Sequence, residues 1–225
     1  MALLGSAVLA IWNDIAAGCD EAFIEWHNRE HIPERVGVPG FLRGRRYAAV
    51  SGRPAYFTLY ETESLATLSG GAYVARLNDP TPWTRRSLPL FQNTKRTACR
   101  VSLSLGVGVG GALATLDLEP EAGRADELRV WLTGTALRAT VERPGMTGAH
   151  LCEADVAATQ VETEEKKLRD RADDLAHWVL LLESVDAVIL GSVCRDVLNN
   201  VALARHGATA DASFALYRLQ FALAR

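Results

Sequence analysis

Two stretches of the chain share one texture in one register, and that internal repeat limits the fold more than any other feature. Gly18-Cys19-Asp20-Glu21-Ala22-Phe23-Ile24-Glu25-Trp26 is echoed by Gly123-Arg124-Ala125-Asp126-Glu127-Leu128-Arg129-Val130-Trp131. A shift of 105 residues sets Trp26 on Trp131, Pro39-Gly40 on Pro144-Gly145 and Phe41 on Met146, without a gap. Farther on, residues 56–62 match residues 178–184 once an insertion is allowed, and the strand around Ala98–Val101 matches Leu216–Leu219. A chain of 225 residues is long enough for two such units. The repeat predicts a tandem duplication, with an N-terminal unit over residues 1–108 and a C-terminal unit over 109–225.

Each half reads as β-α-β-β-α-β. A short apolar strand (residues 7–12 and 112–118) leads into an amphipathic helix opened by acidic residues. A proline is expected to end that helix, Pro33 in the first half and Pro144 in the second. Pro-Gly then turns the chain into two strands, near 41–50 and 56–61 in the first half and near 146–154 and 177–183 in the second. A second helical stretch, broken at Gly70-Gly71 in the first half, precedes the closing strand. This is the split β-α-β, or ferredoxin-like, arrangement. The seam Gly106-Val107-Gly108-Val109-Gly110-Gly111 reads as a flexible linker. Its GxGxxG pattern leads into a strand rather than a helix N-terminus, so it is not read as a phosphate loop. The insertion over 159–174 carries charges of mixed sign and is expected to be a solvated helix or surface loop.

The repeat also supplies an internal control. Phe23, Trp26, His27, Glu30, His31 and Glu34 share one helical stripe, and their counterparts are Leu128, Trp131, Leu132, Thr135, Ala136 and Ala139. One half thus places imidazoles and carboxylates where its twin places an apolar face. Such groups are costly to bury unless they are paired or face a polar cavity. His31 and His27, with Glu30, are the candidate acid–base residues. Arg35 and Arg45 are the candidate anion holders. Tyr47, Tyr60 and Trp12 are expected to line an aromatic-sided pocket over the sheet. Trp26 and Trp131 are expected to be core anchors, and Trp83 to pack a loop. A structural salt-bridged cluster, or an assembly surface, is the competing reading of the same polar stripe. His27-Asn28-Arg29-Glu30-His31 also spells H-x-x-E-H, an inverted zinc-protease signature, so a zinc site is a third reading; no third ligand stands out and no metal is assigned.

The segment from Phe23 to Phe41, a helix bearing His31-Ile32-Pro33 that runs into Pro39-Gly40-Phe41 and a strand, resembles the dimeric α+β barrel superfamily, with its EthD-like branch nearest. The resemblance covers the first half from Phe23 to Tyr47. It reaches the second half only through Trp131, Pro144-Gly145 and the strand pattern. It implies an α+β fold in which the two ferredoxin-like units close an intramolecular barrel. Relatives include cofactor-free monooxygenases, cyclases, isomerases, haem-dependent peroxidases and proteins without known chemistry. Their ligands sit between the sheet and its helices, near the position of His31. The haem-dependent branches use a proximal histidine that has no match here, so no cofactor is expected.

The implied function is a small-molecule enzyme of isomerase, cyclase or cofactor-free oxygenase type acting on an aromatic or polyketide-like acid. The alternative is a noncatalytic ligand-binding or assembly protein. A net charge of -3 gives no reason to expect nucleic acid or a membrane surface as partner; the expected partner is a small molecule, and homo-oligomers are compatible with the fold. The four scattered cysteines form no CxxC pair and suit a reducing compartment. The apolar N-terminus lacks a basic n-region, so the expected setting is cytoplasmic.

Overall fold

The computed structural model describes residues 3–169, 174–209 and 212–225. Eight strands follow the expected order: β1 (Ala7–Ile15), β2 (Phe41–Ser51), β3 (Tyr56–Thr62), β4 (Phe91–Gly106), β5 (Ala112–Leu118), β6 (Met146–Ala154), β7 (Trp178–Ser184) and β8 (Ser213–Ala224). They close one antiparallel barrel in the order β1-β3-β2-β8-β5-β7-β6-β4. The first four strands form one ferredoxin-like unit and the last four another. The units join edge to edge where β2 pairs β8 and β4 pairs β6. Each unit's open edges are thereby covered by the other, which removes the unpaired strand edges that a lone unit would expose.

The two units agree in detail. Ala7↔Thr62 in the first corresponds to Ala112↔Ser184 in the second, so Tyr60 and Leu182 occupy equivalent places. A bulge follows Phe41 in β2, and one follows Met146 in β6. Each long first helix also contains a π segment, His27–His31 in one unit and Leu132–Ala136 in the other.

That segment corrects one expectation. Pro33 does not end the first helix; helical backbone runs from Asp20 to Gly37, with Pro33 at the start of its last part. The wider π turn just before Pro33 relieves the carbonyl clash that a proline meets in a regular α-helix. The second unit has the same π segment without a proline there, so the turn belongs to the fold and Pro33 exploits it. In the second unit the helix ends before Pro144, as expected.

The glycine seam is closely packed at Gly106 and Gly110, with Val107 exposed between them. A Cβ on Gly106 would lie 2.1 Å from the Thr147 carbonyl oxygen, and one on Gly110 would lie 2.4 Å from that of Ser184. The Gly110 N–H donates to Glu183 Oε2 at 2.9 Å.

Strand alternation sorts the core into three spaces. The barrel interior holds Val8, Ala10, Trp12, Tyr47, Phe57 and Tyr217, among others. The C-terminal helices close over their sheet with Leu116, Leu128, Leu132, Leu180, Leu182 and Leu190. The N-terminal helices cover theirs with Phe23, Trp26, Ile32, Phe41 and Tyr73. Trp26 is fully buried, whereas Trp131 is only partly so and stacks on His206 at 4.3 Å. Trp83 packs beside the N-terminal cluster on the short helix Pro82–Ser87.

The stretch Ala187–Arg205 is long and apolar enough to cross a membrane by length and composition. In the fold it divides into two helices at Leu198-Asn199 and packs Leu190, Cys194, Leu198 and Leu203 into the C-terminal core.

Candidate active site

Between the N-terminal helices and the outer face of their sheet lies a cleft with about 50 Å³ of free space, partly open to solvent. Its floor is the sheet, through Ile11, Asn13, Thr58 and Tyr60; one wall is the first helix, through His27, His31 and Arg35. Leu68, Tyr73, Leu77 and Leu88 supply the opposite, mostly apolar side. The π segment turns both imidazoles inward. His27 stacks on Phe23 at 4.9 Å, His31 lies 4.3 Å from the Trp26 ring, and the two imidazoles stack on each other at 5.4 Å.

Both imidazoles are held well below the ordinary histidine range. Burial is the main cause for each. Arg46 and then Arg35 add to it at His27; Arg35, His27 and Arg169 add to it at His31. Arg46 Nη1 approaches His27 Nδ1 at 3.4 Å and donates to Asn28 Oδ1 at 2.8 Å. The rings are therefore neutral at pH 7, each offering one donor and one acceptor nitrogen. An anionic ligand beside them would raise their proton affinity again.

Arg35 is 1 % exposed. It pairs with Glu34 at 3.0 Å on one side and with Glu165 on the other. Burial by itself would lower its pKa, but Glu165 together with the Tyr73 and Tyr60 hydroxyls outweighs burial and the net shift is upward. Tyr60 is pushed up by burial, against the pull of Arg35, so its phenol stays protonated. Among the described residues, Tyr60 OH and His31 Nδ1 are buried without a hydrogen-bond partner. Buried polar atoms are normally satisfied, so two orphans in one cleft mark where a ligand or water belongs.

The structure thus brings His27, His31, Arg35 and Tyr60 together. It sends the other expected residues elsewhere. Glu30 turns away from the imidazoles: its Oε1 accepts from Thr81 Oγ1 at 2.6 Å, Thr84 Oγ1 at 3.1 Å and Trp26 Nε1 at 3.2 Å, which fastens the helix Pro82–Ser87 to the first helix. Trp12, Tyr47 and Arg45 lie inside the barrel, across the sheet from the cleft. Trp12 Nε1 donates to Thr115 Oγ1 there at 3.1 Å. Arg45 is wholly buried between Glu61 and Glu183, at 2.9 Å from each. Because Glu61 and Glu183 hold equivalent places in the two units, Arg45 ties the units together instead of holding a ligand.

Sequence reading also missed residues. Arg46, rather than Arg45, is the β2 cation facing the helix. Tyr73, Arg96 and Asn13 line the cleft as well. The charged insertion is not simply solvated: Val161, Thr163, Glu165, Lys166 and Arg169 form one side of the cleft, with Glu165 4 % exposed. Its residues 170–173 lie outside the described residues.

The zinc signature is not assembled. Glu30 is engaged elsewhere, and neither it nor His27 belongs to a converging group of ligand atoms among the described residues. The grouping with metal-ligand spacing among the described residues is His31, Glu34 and Glu165, their ligand atoms within 4.8 Å of one another. There, Arg35 bridges both carboxylates and Arg76 lies 2.9 Å from Glu34, so two guanidinium groups balance the two carboxylates. The group is an ion-pair network with its positive charge in place.

No family model matches the chain, and no curated protein matches it. Solved structures do. An anthrone oxidase-like protein matches with a TM-score of 0.64 at 10% identity, over 97% of this chain and 92% of that one. A candidate monooxygenase from Fusobacterium nucleatum matches with a TM-score of 0.60 at 10% identity, over 99% and 96%. Another from Lactobacillus acidophilus matches with a TM-score of 0.61 at 6% identity, over 97% and 96%. At such identities the likeness is one of fold: this chain is a ferredoxin-like α+β barrel of the kind that monooxygenase-type proteins share.

Proposed function

We propose that the protein is a small-molecule enzyme whose reaction centre is the N-terminal cleft, and that it moves a proton on an acidic C–H or phenolic substrate. The observation that carries this reading is the pairing of orphaned His31 Nδ1 and Tyr60 OH beside Arg35, in a space its twin fills with leucine. A substrate C–H proton passes to the free nitrogen of His31, and the electron pair moves onto the adjacent carbonyl as an enolate. Arg35 and the Tyr60 hydroxyl stabilise that developing oxyanion. The neutral state of His31 suits it to accept the proton, and the anion formed beside it stabilises the imidazolium. His27, stacked behind it and contacted by Arg46, fixes the ring. Return of the proton at another carbon gives an isomerase or cyclase outcome; capture of the enolate by dioxygen gives the oxygenase outcome.

The same proposal includes a common origin of the two units by duplication, with the boundary near residue 108. The shared bulge, π segment and strand register support it. The EthD-like motif around His31 and a cytoplasmic setting belong with it, the latter supported by four unpaired cysteines. The barrel closes within one chain, so the cleft needs no second copy to complete it.

Anthrone, prompted by the fold likeness, provides the test. Deuterium uptake at its methylene carbon is followed by NMR in D2O under argon. Wild type is expected to accelerate uptake, and His31→Ala to lose that acceleration by about 10²-fold or more. Equal rates with and without protein refute the proton-transfer role. Intact binding alongside such a result would identify a noncatalytic ligand carrier.

A further inference from the structure

The insertion that forms one side of the cleft comes from the unit that has no polar cleft of its own. In the N-terminal unit the β2–β3 connection is only a short turn; in the C-terminal unit the β6–β7 connection carries the short helices Val156–Thr159 and Glu164–Lys167 across to the other unit. Its near end is fixed to β4: Asp155 N–H donates to the Ala98 carbonyl at 2.8 Å, and the Ala98 N–H donates to Thr159 Oγ1 at 3.0 Å. It returns to β4 at Asp174, whose N–H donates to the Thr94 carbonyl and whose carbonyl accepts from the Arg96 N–H, each at 3.0 Å. The Glu164 N–H donates to Asn78 Oδ1 at 3.0 Å, and Glu165 enters the cleft to pair with Arg35. Lys166 and Lys167 pair within the strap, with Glu162 and Glu164.

We propose that this strap is a ligand-operated latch. The Glu165 carboxylate occupies Arg35 in place of a ligand anion, and an anionic ligand group that takes Arg35 releases the strap. The inference rests on the reading of the cleft as a ligand site and adds how that site is regulated. Three observations carry it. First, Arg35 and Arg96 line the cleft beside the unpartnered His31 Nδ1 and Tyr60 OH, so an anion that replaces Glu165 there meets cations and a waiting hydroxyl donor. Second, the exchange is nearly balanced. A buried ion pair gains little net free energy over its desolvation cost, so swapping one carboxylate for another on Arg35 is cheap, while Glu165 regains water. Arg35 keeps Glu34 throughout, and Glu34 is steadied by Arg76 at 2.9 Å. Third, the sister position needs no latch: Thr140 replaces Arg35 there and donates its hydroxyl to the Ala136 carbonyl at 2.8 Å.

The test uses the full chain with benzoate as a planar carboxylate probe, and Glu165→Gln, which preserves side-chain volume. Benzoate affinity is measured by calorimetry, and hydrogen exchange is followed over residues 159–169. The latch predicts at least tenfold tighter benzoate binding in Glu165→Gln, with faster strap exchange in that variant even without benzoate. It also predicts faster strap exchange in wild type at benzoate saturation. A strap that is only a wall gives the opposite pattern: weaker or unchanged binding in the variant, and unchanged or slower exchange in wild type on saturation. Either of those results overturns the latch and leaves the cleft standing as a ligand site. Failure of benzoate to bind either protein also overturns the latch; anthrone exchange, which needs no carboxylate on Arg35, then judges the enzymatic reading separately.

Discussion

The two helix–sheet interfaces of this barrel are built on the same backbone and filled in opposite ways. In the C-terminal unit, Leu132, Ala136, Leu180 and Leu182 meet in a dry core. In the N-terminal unit, the equivalent places hold His27, His31, Thr58 and Tyr60, and the space between them is a cleft. Apolar packing is the stable default for such an interface, worth about 1.5–3 kcal/mol for each large side chain fully buried. The N-terminal unit forgoes that gain at several positions in succession. Stability does not account for this choice, because the twin shows what the fold adopts when only packing matters. What a barrel of two fused units permits, and one of two identical subunits does not, is this division: one unit supplies rigidity and the strap, the other keeps the cleft.

The sharpest way to test that division is to cut the same position in both units. Leu182→Ala in the sealed core is expected to cost about 2–5 kcal/mol, because the cavity is walled by leucines that cannot all collapse into it. Urea denaturation followed by tryptophan fluorescence measures the change. A loss below about 1 kcal/mol would mean that the C-terminal interface is not the tight core described, and the contrast between units would weaken.

Much of this was legible in the sequence, and the failures have physical reasons. The register of Trp26 with Trp131 and of Phe41 with Met146 exposed the two β-α-β-β-α-β units, because helix and strand periods reveal repeats directly; that the units close one barrel was implied only by the family resemblance. The stripe that differs between the units pointed to His27 and His31, and Arg35 was the cation nearest its end. Strict alternation from Phe41 would bring Arg45, the expected anion holder, to the helix face. The bulge after Phe41 breaks that alternation, so Phe41 and Gly44 both face the helices, and Arg46 follows Gly44. One extra residue exchanges the faces of a strand. Glu30 fell on the right stripe but met Thr81 and Thr84 at the start of the distant helix Pro82–Ser87. Glu165 was hidden for the same reason: in a run of mixed charges it looks solvated, and its partner Arg35 lies 130 residues away. Local pattern reports which face a residue takes, not which distant charge waits there.

A second comparison transplants the C-terminal solution. The double variant His27→Leu/His31→Ala installs the residues of the sister unit and should remove a pH-dependent component of stability. In the fold both imidazoles are held below their ordinary pKa of about 6.5. As pH falls through that value the unfolded chain binds protons that the folded chain does not, so the folded state is progressively disfavoured. The stability tied to the neutral rings is thus complete above about pH 6.5 and lost below it. The variant lacks this loss, and its advantage over wild type should grow from pH 7.5 to pH 5. Urea midpoints measured at both values decide the matter; parallel profiles would mean that the imidazoles are not buried in neutral form.

The smallest effect on stability is also the one that best separates a cleft from a core. Tyr60→Phe removes a buried hydroxyl that has no partner. An unsatisfied buried hydroxyl carries a desolvation penalty of about 1–3 kcal/mol, so its removal should leave stability unchanged or slightly raised. Ligand binding should move the other way, because the same hydroxyl is a donor waiting for an acceptor. Benzoate affinity is expected to fall by a factor corresponding to one hydrogen bond to a charged group, about 1.5–3 kcal/mol. Thermal melts and calorimetry on the one variant therefore read opposite signs if the cleft is kept for a ligand. A clear loss of stability with no change in affinity would assign the hydroxyl to the internal architecture, and the two units would differ in polarity without differing in purpose.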